Sequence, residues 1–220
     1  MAEDTELILN PDKTPLYRVV ASILTVLSWL LFRPRVTGSE NIPRSGPVLI
    51  APVHRSNVDF VFTLFISPRK VFFMAKQELF GVPILGTLLR HVGAFPVDRS
   101  TADRESLRLA EEVLRRGEAL ILFPEGTRRE GRRIEELHDG AMFIASRTGA
   151  STVPVGIAGS DRAMPAHAKL PHFARIRVVV GKPIEPPSAE GRVPRSLIAA
   201  KTEELREQLE VVYHQALDEG

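Results

Sequence analysis

The sequence predicts an α/β fold with a mostly parallel sheet flanked by helices, preceded by an N-terminal membrane-associated helix. Three observations support this: short apolar runs bounded by Pro or Gly, helical stretches that alternate with them, and one long apolar segment near the start. The chain has 220 residues, enough for one domain with a full core. We therefore divide it into an N-terminal segment, 1–35, and a single folded domain, 36–220.

The N-terminal segment contains the apolar run LYRVVASILTVLSWLLF, residues 16–32, closed by Arg33-Pro34-Arg35. As a helix this run would be about 26 Å long at 1.5 Å per residue, short of a ~30 Å hydrocarbon core. Arg18 and Trp29 suit the two lipid–water boundaries. A buried core helix is the alternative, but apolar residues cover nearly the whole circumference. We expect the helix to dip into or lie on a membrane without fully spanning it.

Strands and helices then alternate along the chain. Strands are predicted at Val48–Ala51, Val71–Ala75, Ala119–Phe123, Thr152–Ile157 and Arg175–Val180. Helices are predicted at Val58–Ile66, Val82–His91, Thr101–Arg115, Gly140–Thr148 and Pro194–Leu217. Residues 100–103 form a capping-box pattern at the start of the predicted helix Thr101–Arg115, and two Glu–Arg pairs follow at i,i+4 spacing. The last predicted helix has its apolar residues in one stripe.

Composition removes several kinds of chemistry. The absence of Cys excludes disulfides, cysteine-ligated metals and a thiol nucleophile. The six His are scattered without HExxH or HxxxH spacing, so we expect no metal site. A formal charge of +2 fits an anionic membrane surface or a phosphorylated substrate. Because no basic and aromatic residues interleave, we expect no nucleic-acid partner.

The segment HRSNVD, His54 to Asp59, directly follows a predicted strand, and sites collect at the carboxyl ends of strands in α/β sheets. Ser56 and Asp59 also fit a capping box, which explains the acid without any function. A helix cap does not require the imidazole of His54. If the chain turns sharply here, the Asp59 carboxylate can bind Nδ1–H of His54, and Nε2 then serves as a general base.

Two further segments end predicted strands with charges. In FPEGTRR, Gly126 permits close backbone approach to a ligand and Arg128 offers a planar fork for phosphate. Glu125 is unfavourable beside a phosphate unless it pairs with an arginine, and a plain polar turn is the alternative. In GAFPVDR, Arg99 either binds a ligand or pairs with Asp98. Taken together, these segments predict one crevice that holds a general base and phosphate-binding guanidiniums.

In order and approximate separation, HRSNVD, GAFPVDR, FPEGTR and VPVGI resemble four sequence blocks of the glycerolipid acyltransferase superfamily, in particular its 1-acyl-sn-glycerol-3-phosphate acyltransferases. The segment AKQELFGVPILGTLLR also resembles the family. The resemblance implies that the domain 36–220 moves an acyl group from acyl-CoA or acyl carrier protein to a lysophospholipid, without cofactor or metal. It implies that His54 is the base and Asp59 orients it. It implies that the acceptor is bound by Arg99, Glu125, Gly126, Thr127 and Arg128.

Two departures concern the acceptor. Val53 stands where the family often has Asn, and His138-Asp139 stands where aromatic and basic residues are usual. Lysophosphatidic acid is the expected acceptor, while glycerol 3-phosphate, another lysophospholipid or a glycolipid would use the same blocks. By the same resemblance we expect a peripheral or monotopic protein at the cytoplasmic face of the cell membrane.

Rival functions are less well matched. A serine hydrolase using Ser56 lacks the GxSxG turn, and neither GxxxxGK[ST] nor GxGxxG is present for nucleotide binding. A non-catalytic lipid-binding protein remains as an alternative, although binding alone would require no base at His54.

Overall fold

The computed structural model describes residues 15–91, 93–97, 104–165, 168 and 170–219. The helices are Pro15–Phe32 (α1), Asp59–Ile66 (α2), Pro83–His91 (α3), Arg104–Arg115 (α4), Gly140–Thr148 (α5), Ser160–Ala163 (α6) and Arg195–Asp218 (α7), with 3-10 turns at Ser39–Asn41 and Gln77–Gly81. The strands are Arg35–Thr37 (β1), Val48–Pro52 (β2), Val71–Lys76 (β3), Ala94–Val97 (β4), Ala119–Ile121 (β5), Ser151–Ala158 (β6) and Arg177–Val180 (β7).

In the described part of the chain the strands form one sheet in the order β1-β7-β6-β2-β5-β3-β4. Strands β2 to β6 are mutually parallel, β7 is antiparallel to β6, and β1 is parallel to β7. Every residue of β2 is buried, as expected for a central strand covered on both faces. The predicted α/β fold with a mostly parallel sheet is therefore confirmed.

Helices cover the sheet and complete the core. Helix α7 packs along β6 and β7, α4 packs against β4 and β5, and α5 contacts both α4 and α7. The approach of α7 to β6 depends on Gly156, because a Cβ there would lie 2.3 Å from the carbonyl oxygen of Val212. The predicted apolar stripe of α7 is confirmed by its buried positions Ile198, Leu205 and Leu209, among others.

Helix α1 forms where the apolar run 16–32 predicted a helix. Its end is attached to the core: Phe32 meets Phe62 edge-on with ring centroids 5.3 Å apart, and Ser28 is buried. Elsewhere the helix exposes large apolar side chains at Val19, Ile23, Val26, Leu27, Trp29 and Leu30. Among the residues described, no helix is both long enough and apolar enough to cross a membrane.

The prediction missed the two edge strands. Strand β1 has three residues with mainly exposed side chains, and β4 contains Pro96, so neither carries a long apolar run. The strand predicted at Arg175–Val180 begins two residues later than expected and runs antiparallel to β6. Both predicted i,i+4 pairs form, Glu111–Arg115 with an N–O distance of 3.3 Å and Glu112–Arg116 with one of 3.0 Å. The capping box predicted at 100–103 lies outside the described residues.

Candidate functional site

The centre of the site is the turn between β2 and α2. One carboxylate oxygen of Asp59, Oδ2, accepts hydrogen bonds from the backbone N–H groups of Arg55 and Ser56, both at 2.7 Å. The same oxygen lies 3.0 Å from Nδ1 of His54. The bond from the Ser56 N–H is the Asp59 half of the predicted capping box, and the Ser56 hydroxyl donates to the carbonyl of Met164 at 2.8 Å. A single oxygen of Asp59 thus stabilises the turn through two backbone N–H groups and also contacts the imidazole of His54.

The geometry fixes the tautomer of His54. A carboxylate can only accept hydrogen bonds, so the Nδ1 of His54 must be the donor, and the lone pair of a neutral ring is then on Nε2. The ring stacks on Phe123 at 4.2 Å between centroids, and only 7% of the residue is exposed. Its orientation is therefore set by a hydrogen bond at one edge and by an aromatic ring on one face.

A buried ion pair between Arg55 and Glu125 stabilises the turn between β2 and α2. Both oxygens of Glu125 lie 2.8 Å from Nη1 of Arg55, and Glu125 Oε1 also accepts the backbone N–H of His54 at 2.8 Å. Both side chains are almost fully inaccessible to solvent. Burial alone would lower the pKa of the Arg55 guanidinium, but the hydrogen bond and charge of Glu125 outweigh it and raise that pKa. Arg55 is therefore a permanent cation in this site.

Arg55 also forms hydrogen bonds to the loop that follows β5. Its Nε donates to the carbonyl of Gly131 and its Nη2 to that of Arg133, at 3.2 and 3.1 Å. Its guanidinium lies 5.0 Å from the ring centroid of Tyr213. In the other direction, the backbone N–H of Arg129 donates to the His54 carbonyl at 2.9 Å. The turns that follow β2 and β5 are consequently held together as one unit.

The turn after β5 needs a glycine. Gly126 has φ +70°, and a Cβ at this position would lie 2.8 Å from Cδ2 of His138. Thr127 and Arg128 follow on the surface with exposed side chains. His138, one of the two departures from the family pattern, lies against this turn, because its backbone N–H donates to the carbonyl of Pro124 at 3.2 Å.

The structure unites most of the residues that the sequence singled out. His54, Asp59 and Glu125 are in contact, and Gly126, Thr127 and Arg128 continue the same turn. Arg99 lies outside the described residues. Both oxygens of Glu125 are used inside the protein, so binding of the acceptor by Glu125 stays a prediction.

Sequence reasoning missed Arg55 and Phe123 as parts of the site. A signal for Arg55 was present in the sequence, since Glu125 beside a phosphate site is unfavourable without an arginine partner, and Arg55 stands inside HRSNVD. Nothing in the sequence indicated that Phe123 stacks on His54. In the part of the chain that the structure describes, no three His, Asp or Glu side chains cluster closely enough to hold a metal ion.

The chain is similar to several known proteins. A protein-family model described as Acyltransferase matches residues 33–158. The 1-acyl-sn-glycerol-3-phosphate acyltransferase of Bacillus subtilis is 30% identical over 88% of this chain and 95% of its own length. The chloroplastic 1-acyl-sn-glycerol-3-phosphate acyltransferase LPAT1 of Arabidopsis thaliana is 27% identical over 84% of this chain, which spans only 53% of that protein.

A solved structure extends the likeness to three dimensions. The crystal structure of the 1-acyl-sn-glycerophosphate acyltransferase PlsC from Thermotoga maritima superposes with a TM-score of 0.73 at 25% identity, covering 92% of this chain and 78% of that one. The matched region 33–158 includes both turns of the site. By sequence and by fold, the chain belongs to the acyltransferase family and, within it, to the 1-acyl-sn-glycerol-3-phosphate acyltransferases.

Proposed function

We propose that the protein transfers a fatty acyl group from acyl-CoA or acyl carrier protein to the free hydroxyl of 1-acylglycerol 3-phosphate, forming phosphatidic acid. The observation that carries this proposal is the His54–Asp59 pair, with Nδ1 and Oδ2 3.0 Å apart at the carboxyl end of the central strand β2. The names of the relatives support the same acceptor.

In the proposed reaction, Nε2 of His54 takes the proton of the acceptor hydroxyl, and the hydroxyl oxygen attacks the carbonyl carbon of the thioester. The C–S bond then breaks, the acyl group stays on the acceptor oxygen as an ester, and the departing thiolate takes the proton from His54. A thiol has an ordinary pKa of about 8.5, so the leaving group requires little further assistance. General base catalysis of this kind contributes roughly 10²–10⁴-fold in rate. Asp59 stabilises the imidazolium that forms and keeps its ring in place.

The acceptor phosphate would be bound near the turn after β5. Arg128 is exposed there and has no hydrogen-bond or ion-pair partner among the described residues, and Thr127 precedes it. Arg99 is proposed to bind the same phosphate region. Glu125 contributes indirectly, since its bonds to the His54 N–H and to Arg55 position the base.

Helix α1 is proposed to attach the protein to the cytoplasmic face of the cell membrane. Its exposed apolar side chains include Trp29, which is 64% exposed, and Val26, which is 57% exposed. Moving such side chains out of water lowers the free energy, and a Trp is favoured at the lipid–water boundary. In this proposal residues 1–35 form the attachment and 36–220 the catalytic domain, and the association is peripheral or monotopic.

The test is an assay with detergent-purified protein, radiolabelled palmitoyl-CoA and 1-acylglycerol 3-phosphate, following thiol release and labelled lipid together. We expect phosphatidic acid to form in step with thiol. Thiol release that depends instead on glycerol 3-phosphate, another lysophospholipid or a glycolipid would correct the acceptor. No thiol release from palmitoyl-CoA or palmitoyl carrier protein with any acceptor would refute the proposed reaction.

A further inference from the structure

A cavity of about 590 Å³ lies directly beside the turn between β2 and α2 and shares Arg55 with it. Its floor includes the carboxyl end of β6 and the start of β7, and Tyr213 of α7 forms part of its wall. Its most unusual feature is its set of arginines, namely Arg55, Arg129, Arg132, Arg162, Arg175 and Arg177. The volume is in the range of small-molecule sites in proteins.

The positive charge of this arginine cavity is only partly neutralised. Arg55 pairs with Glu125, and Arg129 pairs with Glu135. For Arg132, Arg162 and Arg175, which are exposed, no carboxylate or hydrogen-bond partner is found within the described residues. The lining contains two acidic side chains, Glu130 and Asp161, and four arginines that have no carboxylate partner among the described residues. The lining therefore has an excess of positive charge.

Arg177 is the most informative of the six. Only 6% of it is exposed, and it donates to the backbone carbonyls of Glu219 and Ile176 at 2.9 and 3.1 Å. Within the described structure it has no carboxylate partner. A guanidinium buried without an anion is costly, so this position favours a negatively charged group inside the cavity.

Planar guanidiniums that surround a cavity bind phosphate by paired, charge-assisted hydrogen bonds. In 1-acylglycerol 3-phosphate, only one carbon and one oxygen separate the carbon bearing the attacked hydroxyl from the phosphorus. The acceptor's phosphate must therefore lie close to His54, and His54 is not part of the cavity lining. The phosphates of a thioester donor stand at the far end of a long pantetheine arm, so they can reach a neighbouring cavity.

We infer that the arginine cavity binds the phosphate groups of the acyl donor, either the phosphorylated nucleotide of CoA or the phosphate of a carrier protein's phosphopantetheine arm. This inference rests on the proposed acyl transfer. The cavity and the turn between β2 and α2 share Arg55, whose guanidinium lines the cavity and whose backbone N–H binds Asp59. Donor binding and positioning of the base are thereby linked through one residue.

The first test measures binding alone, by titration calorimetry of the full chain with CoA, phosphopantetheine and pantetheine. A triple variant, Arg132→Ala with Arg162→Ala and Arg175→Ala, removes exposed guanidiniums without leaving a buried charge unpaired. We expect it to weaken CoA binding by at least about tenfold and to leave pantetheine unchanged. The control is Arg192→Ala, an exposed arginine in a different groove, which should bind CoA as the wild type does.

A complementary variant should gain affinity. Asp161→Asn removes one negative charge from the cavity lining, and we expect CoA to bind up to about fivefold more tightly. Equal affinity for CoA and phosphopantetheine would support the carrier arm as the source of the phosphate, and preference for CoA would support the nucleotide. Wild-type CoA affinity in both the triple variant and Asp161→Asn would overturn the inference.

Steady-state kinetics separate this inference from the proposed function. We expect the triple variant to raise KM for palmitoyl-CoA by about tenfold or more, with KM for the lysophospholipid unchanged. A rise confined to the acceptor KM would overturn the donor assignment while leaving acyl transfer established. If no turnover is seen at all, the proposed function fails, and the calorimetric comparison still decides whether the cavity binds phosphate.

Discussion

Removing Glu125 should damage stability and activity together, because one carboxylate serves two buried partners. In Glu125→Ala the Arg55 guanidinium, which is buried in the wild-type structure, would lose its counterion. The backbone N–H of His54 would also lose its acceptor, which lies at 2.8 Å. The substitution therefore tests whether the ion pair positions the base.

The size of the effect follows from these two losses. Breaking a buried ion pair from one side costs about 3–5 kcal/mol, mostly because a charge is left buried and unpaired. An unsatisfied buried N–H costs about 1–3 kcal/mol, part of which relaxation of the turn will recover. Taking about 3–5 kcal/mol as the net loss in unfolding free energy, a chain of this size should show a Tm lower by roughly 6–20 °C.

The double variant Arg55→Met with Glu125→Leu provides the matched comparison. It removes both charges and keeps apolar volume, so we expect unfolding free energy to return to within about 1–2 kcal/mol of wild type. Activity should not return, because the His54 N–H still lacks its acceptor. The measurements are urea unfolding followed by circular dichroism, and kcat from thiol release. A Glu125→Ala variant with wild-type Tm and wild-type kcat would refute the reasoning.

Three further outcomes are expected. Asp59→Asn should lower kcat by about 10²–10⁴-fold while KM changes little, because the amide no longer fixes the Nδ1–H tautomer; steady-state kinetics measure this. Gly126→Ala should lower unfolding free energy by about 1–3 kcal/mol, and by more than Gly131→Ala, whose φ is also positive but whose Cβ would meet nothing; urea unfolding compares them. Trp29→Ser with Ile23→Ser should weaken binding to phospholipid vesicles about tenfold or more, as measured by sedimentation.

Each of these has a result that would contradict it. Unchanged kcat in Asp59→Asn would mean that the carboxylate only folds the turn. Equal stability of the two glycine variants would show that His138 yields freely to a Cβ at Gly126. Vesicle binding that survives the loss of both apolar side chains would place the membrane contact elsewhere than on α1.

The interior of the fold could be predicted because its buried strands are continuous apolar runs. Strand β2 was expected at Val48–Ala51 and extends one residue further, and α5 has the predicted bounds Gly140–Thr148. The edge strands could not be found in this way. Strand β1 is specified by its parallel pairing with β7, a contact between residues far apart in the chain that no local pattern encodes.

The site was predictable to the extent that short motifs mark the ends of adjacent strands. The contact between His54 and Asp59 follows from their spacing in a sharp turn. Arg55 and Glu125 are 70 positions apart in the chain, and their pairing depends on β2 lying next to β5. Three-dimensional proximity of this kind, including the arginine cavity, becomes visible only when the sheet order is known.

The central claim is that His54 is the base of an acyl transfer, and one comparison tests it directly. His54→Ala is measured beside His214→Ala, an exposed histidine on α7, in the palmitoyl-CoA and 1-acylglycerol 3-phosphate assay. We expect His54→Ala to keep the wild-type circular dichroism spectrum and to lose phosphatidic acid formation by about 10²-fold or more, with His214→Ala unaffected. A folded His54→Ala protein that forms phosphatidic acid at the wild-type rate would contradict the account.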